Sequence, residues 1–189
     1  SGGLNLKFGT PDLFWPHIQY LCVELNKQCL SIPTIFNCSG YERADLVEEY
    51  AASIDIFMPD FKFAQPRLAQ ECMGDSMYPE VALKALRKMV ELKGFLDPWD
   101  PTGIQPAQRG VLVRHLILPD HVEISLEVLR LLRAEFGKLL PISVMSQFHP
   151  VPECAEKKYL CRAISREDHE NVRDLVCELG FQHVYLQEI

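Results

Sequence analysis

The stretch GVLVRHLILPDHVEISLEVLRLLRAEFG, residues 110–137, contains a run of aliphatic residues followed by an amphipathic run that ends at a glycine. The aliphatic run is typical of a buried strand in a parallel sheet, and the amphipathic run predicts a helix over 121–137. The strand contains two residues that can carry a charge, Arg114 and His115. Because they are adjacent, we expect their side chains to lie on opposite faces of the strand.

The same order of strand and helix repeats along the chain. Short β-branched or aliphatic runs predict strands at 4–8, 32–36, 54–58, 111–118, 142–146 and 183–187. Amphipathic runs predict helices at 16–28, 42–52, 78–93, 121–137 and 166–179, the last one starting at Ser165 with Asp168 as a capping pair. This alternation predicts an α/β fold with a parallel sheet. Two architectures are consistent with it, an open doubly wound sheet and a (β/α) barrel, whole or partial. The segment 94–109, rich in Pro, Gly and Asp, predicts a long surface loop.

Length and composition predict a single domain over residues 1–189 of ordinary globular type. The net charge of -7 gives no general affinity for nucleic acid or for an anionic membrane. The chain lacks an apolar run of membrane-spanning length and its amino end does not have the form of a signal peptide, so we expect a cytoplasmic location. Its seven cysteines are an odd number with no pair two or three residues apart, which disfavours a disulfide framework or a zinc site.

Polar residues lie where the predicted strands end, and in parallel α/β folds that edge of the sheet carries the functional site. The candidates are Thr10, Asn37, Ser39, Asp60, Lys62, Arg114 and His149. Most have a structural alternative: Thr10 as a helix cap, Asn37 and Ser39 in a turn, Asp60 and Lys62 as a surface ion pair, and His149 as a loop residue. His115 has the alternative of a hydrogen-bonded core histidine. Arg114 is harder to explain structurally, because burying a guanidinium without an anion is costly.

The strand-end motifs also resemble a known family. They are LNLKFGTPDLFWPHI, PTIFNCSGY, DIFMPDFKFA, YPEVAL, GVLVRHLILP and SVMSQFHPV, in this order. The series resembles the radical S-adenosylmethionine (radical SAM) superfamily, and within it the proteins similar to pyruvate formate-lyase-activating enzyme. The resemblance implies a partial (β/α)6 barrel that binds S-adenosylmethionine (SAM) and a [4Fe-4S] cluster. In such enzymes the cluster donates an electron to SAM, which yields methionine and a 5′-deoxyadenosyl radical.

The resemblance also assigns roles to the candidate residues. Thr10 matches a turn near the SAM amino group, and Asn37 and Ser39 match a turn near the methionine part. Lys62 is expected to pair with the SAM carboxylate and Asp60 to orient it. Arg114 is expected to approach the carboxylate or the ribose, and His149 the adenosine end.

One family feature is missing, because the chain contains no C-x3-C-x2-C cluster motif. We therefore expect a partial barrel truncated at its N-terminal strand, with the cluster ligands upstream, so that this chain alone is inactive. The initial SGG is either native or a remnant. An alternative is a non-catalytic ligand-binding module that has lost the cluster, and a weaker one is a barrel aldolase or isomerase with Lys62 as a Schiff-base amine.

The resemblance implies partners as well. They are an electron donor such as flavodoxin or ferredoxin and a protein substrate such as a glycyl-radical enzyme. An open sheet edge at the first strand would favour a dimer.

Overall fold

The computed structural model describes residues 5–30, 32–152 and 160–189, in which strands and helices alternate along most of the chain. The strands are β1 (Leu6–Gly9), β2 (Thr34–Cys38), β3 (Ile56–Pro59), β4 (Gly110–Val111), β5 (Val113–Leu116), β6 (Ile142–Met145) and β7 (Val184–Leu186). The helices are α1 (Trp15–Lys27), α2 (Ala44–Ala51), α3 (Pro66–Met73), α4 (Tyr78–Lys93), α5 (Val122–Phe136) and α6 (Arg166–Glu178), with a short 3-10 helix at Pro11–Phe14. Within this described part, none of the helices is long and apolar enough to cross a membrane.

The chain forms two compact units. The first unit comprises Ser1–Asp60 and Glu80–Val113, and the second comprises Phe61–Pro79 and Arg114–Ile189. The prediction of one domain over 1–189 stays a prediction.

The first unit contains a four-stranded sheet in the order β1-β2-β3-β4, with parallel pairing throughout. Strand order in this sheet follows chain order, whereas a doubly wound sheet reverses its order at a switch point. The arrangement of this sheet is therefore the one expected of a (β/α) barrel segment. The predicted α/β class with parallel strands is confirmed.

An aromatic cluster joins the first two helices to this sheet. The ring of Phe36 in β2 stacks on Tyr50 of α2 at 4.8 Å and meets Trp15 of α1 edge-on at 6.0 Å. Phe57 in β3 extends the cluster, at 5.5 Å from Phe36. Trp15 is also fixed by a hydrogen bond of 2.6 Å from its Nε1 to Oε1 of Glu49. These side chains place the helix layer on the Phe36 face of the sheet.

The second unit contains a three-stranded sheet in the order β5-β6-β7, in which β6 and β7 are parallel. Helix α5 packs against α6 and buries Ile124, Val128, Leu129 and Leu132 completely or almost so. Helix α6 begins at the predicted capping pair: the Ser165 hydroxyl accepts from the Asp168 N–H at 3.0 Å, and the Ser165 N–H donates to the Asp168 carboxylate at 3.2 Å.

Two features differ from the sequence prediction. The run predicted as one strand at 111–118 is two strands, β4 and β5, which belong to different sheets. The break follows from changing partners: the Leu112 N–H donates to Phe57, whereas the Ile117 N–H donates to Met145. Helix α3 was not predicted, because it is only eight residues long and buries little beyond Leu68 and Ala69.

Gly110 in β4 occupies a position that leaves no space for a side chain. Its φ is +113°, and a Cβ there would lie 2.3 Å from the Phe95 carbonyl oxygen. We expect Gly110→Ala to lower the free energy of unfolding by about 3 kcal/mol or more, because the backbone must shift in a packed core. Gly103→Ala is the matched control, since Gly103 has a φ of +73° but open space around it, and should cost about 1 kcal/mol. Urea unfolding of both variants measures the difference, and equal costs would contradict the steric explanation.

Candidate functional site

The first three strands end side by side at the carboxyl edge of the four-stranded sheet. Gly9 is in register with Asn37, and Asn37 with Met58. Backbone bonds continue this pairing past the strands, from the Thr10 N–H to the Asn37 oxygen and from the Asp60 N–H to the Cys38 oxygen, both at 3.0 Å. Four of the seven predicted residues, Thr10, Asn37, Ser39 and Asp60, therefore lie together at this edge of the first unit.

Thr10 does not have the structural role that its position before a helix suggests. Its side chain makes no capping hydrogen bond to the 3-10 helix that follows, and it is exposed. Its backbone is left-handed, with φ 50° and ψ 53°, which is unusual for a β-branched residue. The cap interpretation is therefore wrong, and the turn carries strain in a conformation that β-branched residues rarely adopt.

Asn37 and Ser39 differ in how their side chains are used. The Ser39 Oγ accepts a bond of 3.2 Å from the Tyr41 N–H and donates one of 3.4 Å to Glu42, so its turn role is confirmed. The Oδ1 of Asn37 is buried and has no hydrogen-bond partner among the described residues. A buried acceptor without a donor is costly, which makes this oxygen a candidate to bind a donor group of a ligand.

Glu42 is a site residue that the sequence prediction missed. It is only 6% exposed, and its Oε2 is buried without a hydrogen-bond partner in the described part of the chain. Burial raises the pKa of the Glu42 carboxyl, and the nearby Asp12 adds to the rise, while hydrogen bonds from Cys38 and Ser39 oppose it. Burial also raises the pKa of the Cys38 thiol, with a contribution from Glu42. Glu42 directly follows the motif NCSGY, but the predicted helix at 42–52 placed it on a helix.

In the second unit, β5 separates the two chargeable residues as predicted. Arg114 is half-buried and His115 is 2% exposed, on the opposite face of the strand. The His115 Nδ1 lies 2.7 Å from the Phe61 carbonyl oxygen, and its Nε2 lies 2.8 Å from the Ser125 Oγ. Because a carbonyl oxygen only accepts, Nδ1 carries the proton. The interpretation of His115 as a hydrogen-bonded core histidine is confirmed.

The remaining two predicted residues also lie in the second unit. Lys62 is half-buried, and its backbone N–H donates to the Tyr78 hydroxyl at 3.0 Å. His149 is exposed in the segment that follows β6. Asp60 belongs to the first unit and Lys62 to the second. The assignment of all seven residues to a SAM site stays a prediction.

The described residues do not fit an iron–sulfur cluster. Their free cysteines, Cys22, Cys29, Cys38, Cys72, Cys161 and Cys177, are spread over the chain. Across residues 5–30, 32–152 and 160–189, the structure contains no group of three or more His, Cys, Asp or Glu side chains that could hold a metal ion. The predicted location of cluster ligands upstream stays a prediction.

The raised pKa of Glu42 has a consequence for stability. Its folded-state pKa exceeds the unfolded value, so its contribution is most favourable at acidic pH and is lost as pH rises through the folded pKa. We expect Glu42→Gln, which keeps an acceptor but removes the charge, to stabilise the protein at pH 7, by about 1.4 kcal/mol for each unit of the pKa difference. The gain should shrink towards pH 4. Denaturant unfolding from pH 4 to 8 measures it, with the exposed Glu167→Gln as control, and a gain independent of pH would contradict it.

Comparison with known proteins adds three findings, two from sequence and one from structure. No protein-family model matches the chain. An uncharacterised protein of Methanocaldococcus jannaschii is 20% identical over 185 residues, which are 98% of this chain and 49% of the archaeal protein. The chain thus spans about half the length of the curated relative that it matches.

A solved structure, a domain of pyruvate-formate lyase-activating enzyme from Bacteroides vulgatus, resembles the chain with a TM-score of 0.60. The similarity covers 100% of both chains at 16% sequence identity. At that identity the similarity establishes the fold alone. It confirms the predicted fold class, an α/β fold with parallel strands.

Proposed function

We propose that this chain is the SAM-binding part of a radical SAM protein similar to pyruvate formate-lyase-activating enzyme. The observation that carries the proposal is the orphaned Asn37 Oδ1 at the carboxyl edge of the first unit, beside Thr10 and Asp60. The fold shared with an activating-enzyme domain supports it. The motif series at the strand ends supports it independently.

The chemistry of the first unit suits the methionine end of SAM. The ammonium group of that end supplies the N–H donors that a buried carbonyl oxygen such as Asn37 Oδ1 requires. The half-buried Asp60 adds a negative charge at the same edge. Together they favour a cationic ligand group over a neutral one.

The second unit supplies the cations that the resemblance assigns to the carboxylate. Lys62 and Arg114 are both half-buried, and the Phe61 N–H donates to the Arg114 carbonyl oxygen at 2.8 Å. A guanidinium offers paired donors to a carboxylate or a ribose, and an ammonium offers a compact charge. His149 is assigned to the adenosine end by the resemblance.

The rest of the proposal concerns the whole protein. A [4Fe-4S] cluster would supply the electron that cleaves SAM. An electron donor such as flavodoxin or ferredoxin, a protein substrate such as a glycyl-radical enzyme, and a dimer through the β1 edge belong to the same proposal.

The second candidate function is a non-catalytic module that binds a SAM-like ligand. The buried Asn37 Oδ1 without a partner among the described residues suits this function equally well, because binding a SAM-like ligand requires no cluster ligands. A C-x3-C-x2-C segment upstream in the natural reading frame supports the enzyme, and its absence supports the module.

SAM binding by the folded chain tests the proposal directly. Isothermal titration should detect binding, and Asn37→Ala should raise the Kd about tenfold, because it removes a hydrogen bond to a charged group. Arg114→Ala should weaken binding by a similar factor. Asn171→Ala, at an exposed position of α6, is the matched control and should bind like the wild type. Absence of binding at millimolar SAM, with the fold intact by circular dichroism, would refute the proposal.

Cluster reconstitution tests whether this chain can hold a [4Fe-4S] cluster without further segments of the protein. Anaerobic reconstitution of this chain with iron and sulfide should give no stoichiometric [4Fe-4S] centre, because the described cysteines do not converge. Absorbance in the cluster's charge-transfer band is the readout. Stoichiometric cluster in the chain alone would overturn the expectation of upstream ligands.

A further inference from the structure

We propose that Tyr78 and His115 are positioning residues for Lys62. They hold the backbone of Phe61–Phe63 from two sides and so determine where the Lys62 ammonium group lies. That the ammonium meets an anionic ligand group rests on the proposed function. The positioning itself rests on contacts within the second unit.

Three polar contacts hold consecutive backbone groups of this segment. The Phe61 N–H donates to the Arg114 oxygen at 2.8 Å, and the Phe61 oxygen accepts from His115 Nδ1 at 2.7 Å. The Lys62 N–H donates to the Tyr78 hydroxyl at 3.0 Å. Tyr78 is 0% exposed and His115 2%, so water does not compete for these bonds.

Aromatic packing holds the same segment from the Tyr78 side. The rings of Phe61 and Phe63 meet the Tyr78 ring edge-on, with centroids at 6.5 Å and 6.0 Å. Both phenylalanines are buried while Lys62 between them is half-exposed, so the lysine side chain points away from the aromatic core. The segment cannot rotate about its axis without exposing one of these rings.

His115 also connects the Phe61–Phe63 segment to Arg114, the second cationic residue of this unit. Its Nε2 is anchored by the Ser125 Oγ at 2.8 Å, and it directly follows Arg114 in β5. The bond from the Phe61 N–H to the Arg114 oxygen then joins the backbones that carry Arg114 and Lys62. One network of hydrogen bonds therefore fixes the spacing of the two backbone positions that carry Lys62 and Arg114.

The Tyr78 hydroxyl can be removed without removing the packing. In Tyr78→Phe the ring contacts with Phe61 and Phe63 are kept, whereas the Lys62 N–H loses its partner. Amide hydrogen exchange at Lys62, measured by NMR, should accelerate at least tenfold. Thr34→Val, which removes a buried hydroxyl that donates to the Asp55 carboxylate in the first unit, is the control for general destabilisation. Unchanged exchange at Lys62 in Tyr78→Phe, or equal acceleration in the control, would overturn the proposal.

A double-mutant cycle tests the functional consequence with SAM as the probe. Tyr78→Phe should raise the Kd about fivefold in the wild-type background, a positioning effect, and should have no further effect in Lys62→Ala. Equal loss in both backgrounds would show that Tyr78 acts otherwise than through Lys62, which overturns the proposal. If Lys62→Ala itself leaves the Kd unchanged, the ligand role of Lys62 in the proposed function fails, while the exchange result still decides the positioning.

Discussion

Parallel pairing in one register is the constraint on which the first unit depends. Phe36 must face Trp15 and Tyr50, and this orientation turns its neighbour Asn37 to the opposite face of the sheet. A slip of one residue would exchange the two and place an amide in the aromatic cluster. The core contacts thus fix the register, and the register brings Gly9, Asn37 and Met58 level at the carboxyl edge.

The two ends of that sheet treat buried polar groups differently. At the amino end, Asp55 accepts bonds from the N–H and Oγ1 of Thr34 at 2.9 Å and 2.8 Å. At the carboxyl end, the oxygens Asn37 Oδ1 and Glu42 Oε2 have no partner among the described residues. Unsatisfied groups of this kind cost about 1–3 kcal/mol each, and a fold retains such groups where a ligand or a proton compensates them.

Much of this arrangement follows from local sequence patterns. Hydrophobic periodicity predicts every described helix except α3 to within about two residues. A parallel sheet necessarily brings strand-end residues to one edge. The split between β4 and β5 could not be predicted, because Leu112, at which the two strands separate, has apolar neighbours on both sides. Ser39 bonds within its own turn, as its sequence context predicts, whereas the unpartnered Oδ1 of Asn37 and the burial of Glu42 depend on tertiary contacts. The contact between Tyr78 and Lys62 joins the start of a helix to a segment 16 residues earlier, which periodicity does not detect.

The second unit shows why a charged strand-end residue needs core residues behind it. A lysine side chain has about 2 kcal/mol of rotamer entropy to lose on binding, and a mobile backbone would add to that loss. At Lys62 the backbone contribution has been removed in advance, because Tyr78 and His115 hold Phe61–Phe63 whether or not a ligand is present. A lysine that only solvates the surface has no need of such support. An apolar pair of similar volume would leave the Lys62 N–H and the Phe61 carbonyl oxygen without partners, so the buried tyrosine hydroxyl and imidazole stabilise this backbone and preorganise the charge that it carries.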